Sequence, residues 1–319
     1  MSRRKRRRKK KSSLFSVVRA IILVAAIAVF GYSGYQLYAI FSEYKQSSDE
    51  YAALADDYTK AYSGDGKTEE SISSGSDFQE LAGTALDPYG NPYEDAEPPV
   101  TVDWEALEKI NPDIVGWIYV DACPTINYPI CRGTDNDYYL HRTFRQEYLF
   151  SGSIFEDYQN AADFTDPNTI IYGHNMKDGS MFNTLKKLQD QSVYEQNPYF
   201  WILTPGGNYR YHIYCVTTAS VESDVYILYD YNGSEFLKWE QKMESMSEVN
   251  GTVPLNEYDH SVVLSTCTSD ESYRCVVIGK CVSSDQPAAS VPTPTPTPRV
   301  TPEPSLDDIE IDPDVEYYD

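Results

Sequence analysis

SVVLSTCTSDESYRCVVIGKCV, residues 261–282, is two apolar runs, Ser261–Cys267 and Arg274–Val282, around a short polar connection, Thr268–Tyr273. Runs this rich in Val and Ile predict strands. A connection this short fits antiparallel neighbours about 4.8 Å apart. Cys267, the last residue of the first strand, then meets Arg274, the first of the second, and both project into one site. Cys275 points to the opposite face from Arg274.

Working outward, further short runs read as strands at Val115–Val120, Thr125–Ile130, Gly152–Phe155, Thr169–Tyr172 and Tyr209–Ala219. A helix is predicted over Val102–Ile110, with Asp103 as N-cap and Pro112 beyond its end. Ser180–Leu188 puts Met181, Phe182, Leu185 and Leu188 on one helical face, and Ser234–Met246 reads as a helix inserted between strands. Many strands with few short helices predict a mostly β fold, an antiparallel barrel or sandwich, over residues 100–283. The 28 Tyr of the chain suit half-buried strands better than helical bundles.

The chain of 319 residues carries a net charge of -23, which excludes a broad basic face for nucleic acid. The charge is not evenly spread. Residues 1–41 hold ten basic residues and no acid, whereas the remainder holds 16 basic and 49 acidic residues. Residues 1–13 read as a basic tail and 14–41 as a transmembrane signal anchor. Ala20–Phe41 are uncharged, and as a helix they span roughly 33 Å, enough for the hydrocarbon core. The basic flank places the N-terminus in the cytoplasm and the rest outside. A cleaved signal peptide is the rival reading, with Ala26-Ile27-Ala28 as a small-x-small site, but the apolar character runs well past it. A nuclear-localisation reading of the basic run is at odds with the adjacent apolar span.

Residues 42–99 read as an extracytoplasmic stalk with little packed structure. The stretch Glu43–Tyr62 has helical character, and Asp87-Pro88, Asn91-Pro92 and Pro98-Pro99 are breakers. Residues 284–319 read as an unfolded acidic tail, with Pro and Thr alternating over Val291–Arg299.

The six cysteines, 123, 131, 215, 267, 275 and 281, show no C-x-x-C, and the four His are too scattered for a zinc pattern. Most read as small buried apolar residues. Cys267 differs in its context. A guanidinium at Arg274 can lower its thiol pKa or stabilise an oxyanion. An acyl-transfer nucleophile also needs a proton carrier. His174, in IIYGHN (170–175) just past a strand, supplies one. By spacing alone, a structural His and a solvated or salt-bridged Arg are the more usual readings of these positions.

Thr169–Leu188, TIIYGHNMKDGSMFNTLKKL, with LSTC at 264–267 and the Arg that follows, resembles a class B sortase. So do VDWEALEKINPDIVGWIYV (102–120), INYPI (126–130) and TDNDYY (134–139). The resemblance spans about residues 100–283. It implies a closed eight-stranded β-barrel preceded by a transmembrane helix. It also implies a membrane-anchored cysteine transpeptidase of Gram-positive bacteria, which needs no metal or organic cofactor. Such an enzyme cuts a C-terminal sorting signal of a surface protein, holds the acyl fragment as a thioester, and passes it to an amine. That amine belongs to the cell-wall precursor, or to a pilin lysine in a polymerase. Carried over by motif, Cys267 is the nucleophile, His174 the general acid/base, and Arg274 the group that positions substrate and stabilises the oxyanion. Asn127 and Ser265 match groove-lining positions, and Tyr226 and Ile227 fall in an insertion that caps the groove. A turn Asn, a strand Ser and a buried aromatic–aliphatic pair are the plainer readings of these four. The seven-residue Cys-to-Arg spacing, the Pro/Thr tail and Cys275 depart from the family pattern.

Two rivals keep the cysteine but not the family. A papain-like hydrolase places Cys before His, whereas His174 precedes Cys267 by 93 residues. An L,D-transpeptidase-like enzyme has the right order but a much shorter spacing. A non-catalytic surface module, with stalk and Tyr-rich strands serving adhesion, predicts that Cys267→Ala is silent.

Overall fold

The computed structural model describes residues 14–61, 97–267, 272–284 and 299–300. The basic tail 1–13, most of the expected stalk, most of the connection after Cys267 and most of the C-terminal tail lie outside them. In chain order the helices and strands are α1 (Leu14–Tyr58), β1 (Thr59–Ala61), β2 (Val100–Val102), α2 (Trp104–Ile110), β3 (Ile114–Val120) and β4 (Asn127–Cys131). There follow β5 (Ile154–Glu156), β6 (Asn168–Tyr172), α3 (Gln191–Tyr194), β7 (Tyr199–Thr204), β8 (Gly207–Ser220) and β9 (Ile227–Leu228). The last are α4 (Ser234–Ser245), β10 (Ser261–Cys267), β11 (Tyr273–Ser284) and β12 (Arg299–Val300).

Eight strands close a barrel in the order β10-β11-β8-β7-β3-β4-β5-β6. Neighbours are antiparallel except β10–β6 and β4–β5, which are parallel. Closure leaves none of these eight strands with a free edge along its paired length. Large apolar side chains fill the core, among them Trp117, Phe155, Phe200, Tyr211, Val263 and Ile278. The helix α2 begins as its sequence predicts, with the Asp103 carboxylate accepting the Ala106 N–H at 3.0 Å.

The first unit of the chain, residues 1–46, holds the apolar part of α1. Val18–Ala39 is 22 residues with a mean hydropathy of 1.8, long and apolar enough to cross a membrane. The second unit, residues 47–319, includes the last turns of α1. Over residues 51–61 the expectation of an unpacked stalk is corrected. Tyr51 and Leu54 are buried, and the Tyr51 hydroxyl donates to Gly152 O. Tyr51, Leu54 and Tyr58 recur at i, i+3 and i+7, so one stripe of the helix has an apolar partner. The strand β1 then pairs with β2, Thr59 opposite Val102 and Ala61 opposite Val100.

Two further corrections concern elements. Over Ser180–Leu188 the burial is as expected, but the element is a 3₁₀ helix beginning at Asn183. Met181 sits at φ 52°, and its N–H donates to the Tyr128 hydroxyl. In the tail, β12 pairs with β9, where an unfolded segment was expected. No disulfide occurs among the described residues, and Cys123, Cys131, Cys215, Cys275 and Cys281 are all buried.

Candidate active site

The site is built by strand register. In the parallel pair, Ser261 lies opposite Asn168 and Ser265 opposite Tyr172. The Gly173 N–H donates to Ser265 O at 3.1 Å, so β6 keeps step with β10 to its end. The same offset, carried two residues on, brings His174 level with Cys267. On the other side of β10, Cys267 pairs directly with Arg274 of β11. The two backbones are therefore direct cross-strand neighbours at this position. Cys275 pairs with Thr266 and takes the other face, as expected. Three segments, the ends of β6 and β10 and the start of β11, thus meet at one rim of the barrel.

Gly173 lets the chain pass close against Ile154 and Phe182 on its way to His174. A Cβ there would lie 2.5 Å from Ile154 Cδ1 and 2.7 Å from Phe182 Cδ2, closer than a side chain can sit. Beyond it the chain folds back at once. His174 O accepts the Phe182 N–H at 2.9 Å, and Asn183 Nδ2 donates to Asn175 Oδ1 at 2.6 Å.

The half-buried His174 ring is held from outside the strands. Its Nε2 is 2.8 Å from Leu140 O. A carbonyl can only accept, so Nε2 carries the proton and Nδ1 is the basic nitrogen. His141 stacks on the ring at 5.6 Å between centroids, and Phe150 stacks on it at 5.8 Å. Burial is the largest cause that lowers the His174 pKa to about 4. The neighbouring His141 and the Arg274 cation add to the lowering, and the Leu140 carbonyl opposes it. At neutral pH this imidazole is uncharged and ready to accept a proton. Arg274 is buried, and its Nη1 donates to Tyr273 O at 3.1 Å.

Of the four expected groove residues, two meet. The Tyr226 hydroxyl lies 3.0 Å from Ser265 Oγ, two residues before Cys267. Ile227 follows as the first residue of β9, and its carbonyl accepts from Asn168 Nδ2 at 2.7 Å. Asn127 opens β4 at the same rim, but its Oδ1 is engaged by Trp117 Nε1 at 2.6 Å. Sequence reasoning missed Leu140, His141 and Phe150. They reach His174 across a loop, and a lone His beside two apolar residues carries no motif.

The other cysteines differ in kind. Burial pushes the Cys215 and Cys275 thiols up to about 12 and raises those of Cys123 and Cys131. Such thiols stay protonated and inert.

Residues 118–282 match the family model described as the Sortase domain. The chain is 39% identical over 181 residues to Sortase B of Listeria monocytogenes serovar 1/2a, covering 56% of this chain and 73% of that protein. It is 33% identical over 187 residues to Sortase B of Staphylococcus aureus, covering 57% and 76%. The Staphylococcus aureus sortase B–substrate complex superposes with a TM-score of 0.53 at 31% identity, over 56% of this chain and 83% of that one. A sortase B structure complexed with triglycine gives 0.52 at 33% identity, over 56% and 84%. With the barrel, its rim and both sets of similarities in agreement, the chain belongs to the sortase family and is a transpeptidase of the sortase B kind.

Proposed function

We propose that the protein cleaves the C-terminal sorting signal of a surface protein and transfers the acyl fragment to an amine, with Cys267, His174 and Arg274 as its catalytic residues. The observation that carries this reading is the register that sets Cys267 opposite Arg274 and level with His174. The Cys267 sulfur attacks the scissile carbonyl carbon, and the thiol proton passes to His174 Nδ1. Arg274, the cross-strand partner of Cys267, stabilises the oxyanion that forms. As the C–N bond breaks, His174 returns the proton to the leaving amine, and a thioester remains. An incoming amine attacks the thioester and gives up its proton through His174. The new amide departs and the Cys267 thiol is restored.

The solved complexes of sortase B with substrate and with triglycine support a peptide donor and an amine acceptor. For this chain the acceptor is assigned to the cell-wall precursor. Val18–Ala39 is assigned as a single membrane span with the basic N-terminus inside and the barrel outside. Ser265, Tyr226 and Ile227 are assigned to the flank of the peptide groove.

Intact-mass spectrometry after incubation with peptides of the NPxTx and PxTG types tests the chemistry. An acyl adduct on Cys267 that hydroxylamine releases is the expected result, and Cys267→Ala gives none. No adduct with any such peptide overturns the reading.

A further inference from the structure

The strand β9 lies beside the candidate site and belongs to no barrel sheet. Its only paired neighbour among the described residues is β12 of the tail, Arg299 opposite Leu228 and Val300 opposite Ile227. One edge of β9 is already satisfied. Asn168 Nδ2 donates to Ile227 O at 2.7 Å, and Tyr229 N–H donates to Asn168 Oδ1 at 3.0 Å. A strand alternates the direction of its peptide groups. Leu228, between those two residues, therefore turns its N–H and C=O to the opposite edge, where Arg299 lies.

The tail sequence explains why it pairs there. Between Pro292 and Pro304, prolines alternate with single residues except at Arg299-Val300-Thr301. Proline has no N–H to give a ladder. Arg299 opens the only run of consecutive N–H groups in that stretch. The fifteen steps from Ser284, the end of β11, span about 46 Å when extended. The twelve residues of β11 span roughly 40 Å, so the tail can reach either rim of the barrel.

We propose that β9 is a docking edge for an extended peptide and that the chain's own segment at Arg299–Val300 is its resident occupant, masking the active-site flank from peptide substrate. The masking rests on the peptide-cleaving function proposed above; the docking does not. The link to the site is short, because Tyr226, the residue before β9, holds Ser265 two residues from Cys267. A tethered segment acts at an effective concentration of about millimolar, which a free peptide must overcome.

Removing residues 285–319 from the full chain is expected to lower the KM for a sorting-signal peptide roughly tenfold, with kcat unchanged. Arg299→Pro, which deletes the N–H facing Leu228, reproduces that change, and Arg299→Ala, which keeps it, retains the higher KM. Independently of turnover, a fluorescent peptide of residues 291–305 binds the truncated chain by anisotropy and fails to bind the full chain. Equal KM values for full and truncated chains overturn the masking, and equal anisotropy overturns the docking edge. Peptide binding by a truncated chain that turns over no substrate sustains the docking edge and sinks the enzymatic reading instead.

Discussion

His174 is a base kept uncharged by its surroundings. Its folded pKa, about 4, lies below the ordinary value of 6.5. Between those values the unfolded chain binds a proton that the folded chain refuses, so stability falls as pH drops from 6.5 toward 4. NMR titration of the folded protein is expected to show the His174 ring neutral down to about pH 5; a midpoint near 6.5 would contradict the burial argument. His141→Ala removes one of the two rings that flank His174. Such ring pairs contribute about 0.5–1.5 kcal/mol. The expected result is a fall in kcat of roughly tenfold with KM unchanged, since a tenfold change is about 1.4 kcal/mol, and recovery in His141→Phe. The three residues proposed to be catalytic are legible in the sequence because each ends, opens or closely follows a strand within a distinctive motif. His141 is not, because its place depends on how residues 138–153 fold back on the barrel.

Elements are legible where their patterns are local. The bounds of β10 and the helix at α4 follow from composition and periodicity. The strand β7, YFWILT, gives no such signal because both its faces are buried, so it lacks the alternation that marks a half-exposed strand. The 3₁₀ helix at Asn183 reads as α in the sequence because tertiary bonds from Phe182 to His174 O and from Met181 to Tyr128 override local periodicity. The turn before β5 carries the sharpest element-level prediction. Gly152 sits at φ 54°, and a Cβ there would lie 2.1 Å from Leu140 O, the carbonyl that holds His174. Gly152→Ala must therefore move that carbonyl. The expected cost is about 3 kcal/mol, read by denaturant melts, with a disproportionate loss of thioester formation in the fraction that still folds. Retention of full activity per folded molecule would separate Leu140 from the chemistry.

On the scale of the molecule, a buried polar network lies at the rim away from Cys267. Lys280 Nζ is 3.0 Å from Asp259 Oδ2, and Ser261 Oγ donates to Glu240 Oε1 at 2.8 Å. Burial first, and then the Asp259 charge, push Glu240 up to about 9. The folded chain thus holds a proton that the unfolded chain releases above 4.5, and stability falls as pH rises from 4.5 to 9. Glu240→Gln keeps the acceptor for Ser261 and removes the titration. It is expected to be more stable than wild type at pH 8.5 by roughly 1–3 kcal/mol and to lose that advantage near pH 5. An unchanged difference across this range would show that Glu240 is charged in the fold.

The pairing of β1 with β2 bears on how far the enzyme can reach. The chain leaves the β1–β2 ladder at Ala61 and re-enters it at Val100, and these two residues are partners in it. A segment whose ends are pinned together adds nothing to the distance between an anchor and a catalytic rim, however long it is. The insertion is therefore a closed appendage rather than a tether, and its length is thermodynamically cheap, about 0.6 kcal/mol per doubling. Shortening residues 64–94 to a few Gly and Ser is expected to leave the denaturation midpoint and the turnover of a peptide substrate nearly unchanged.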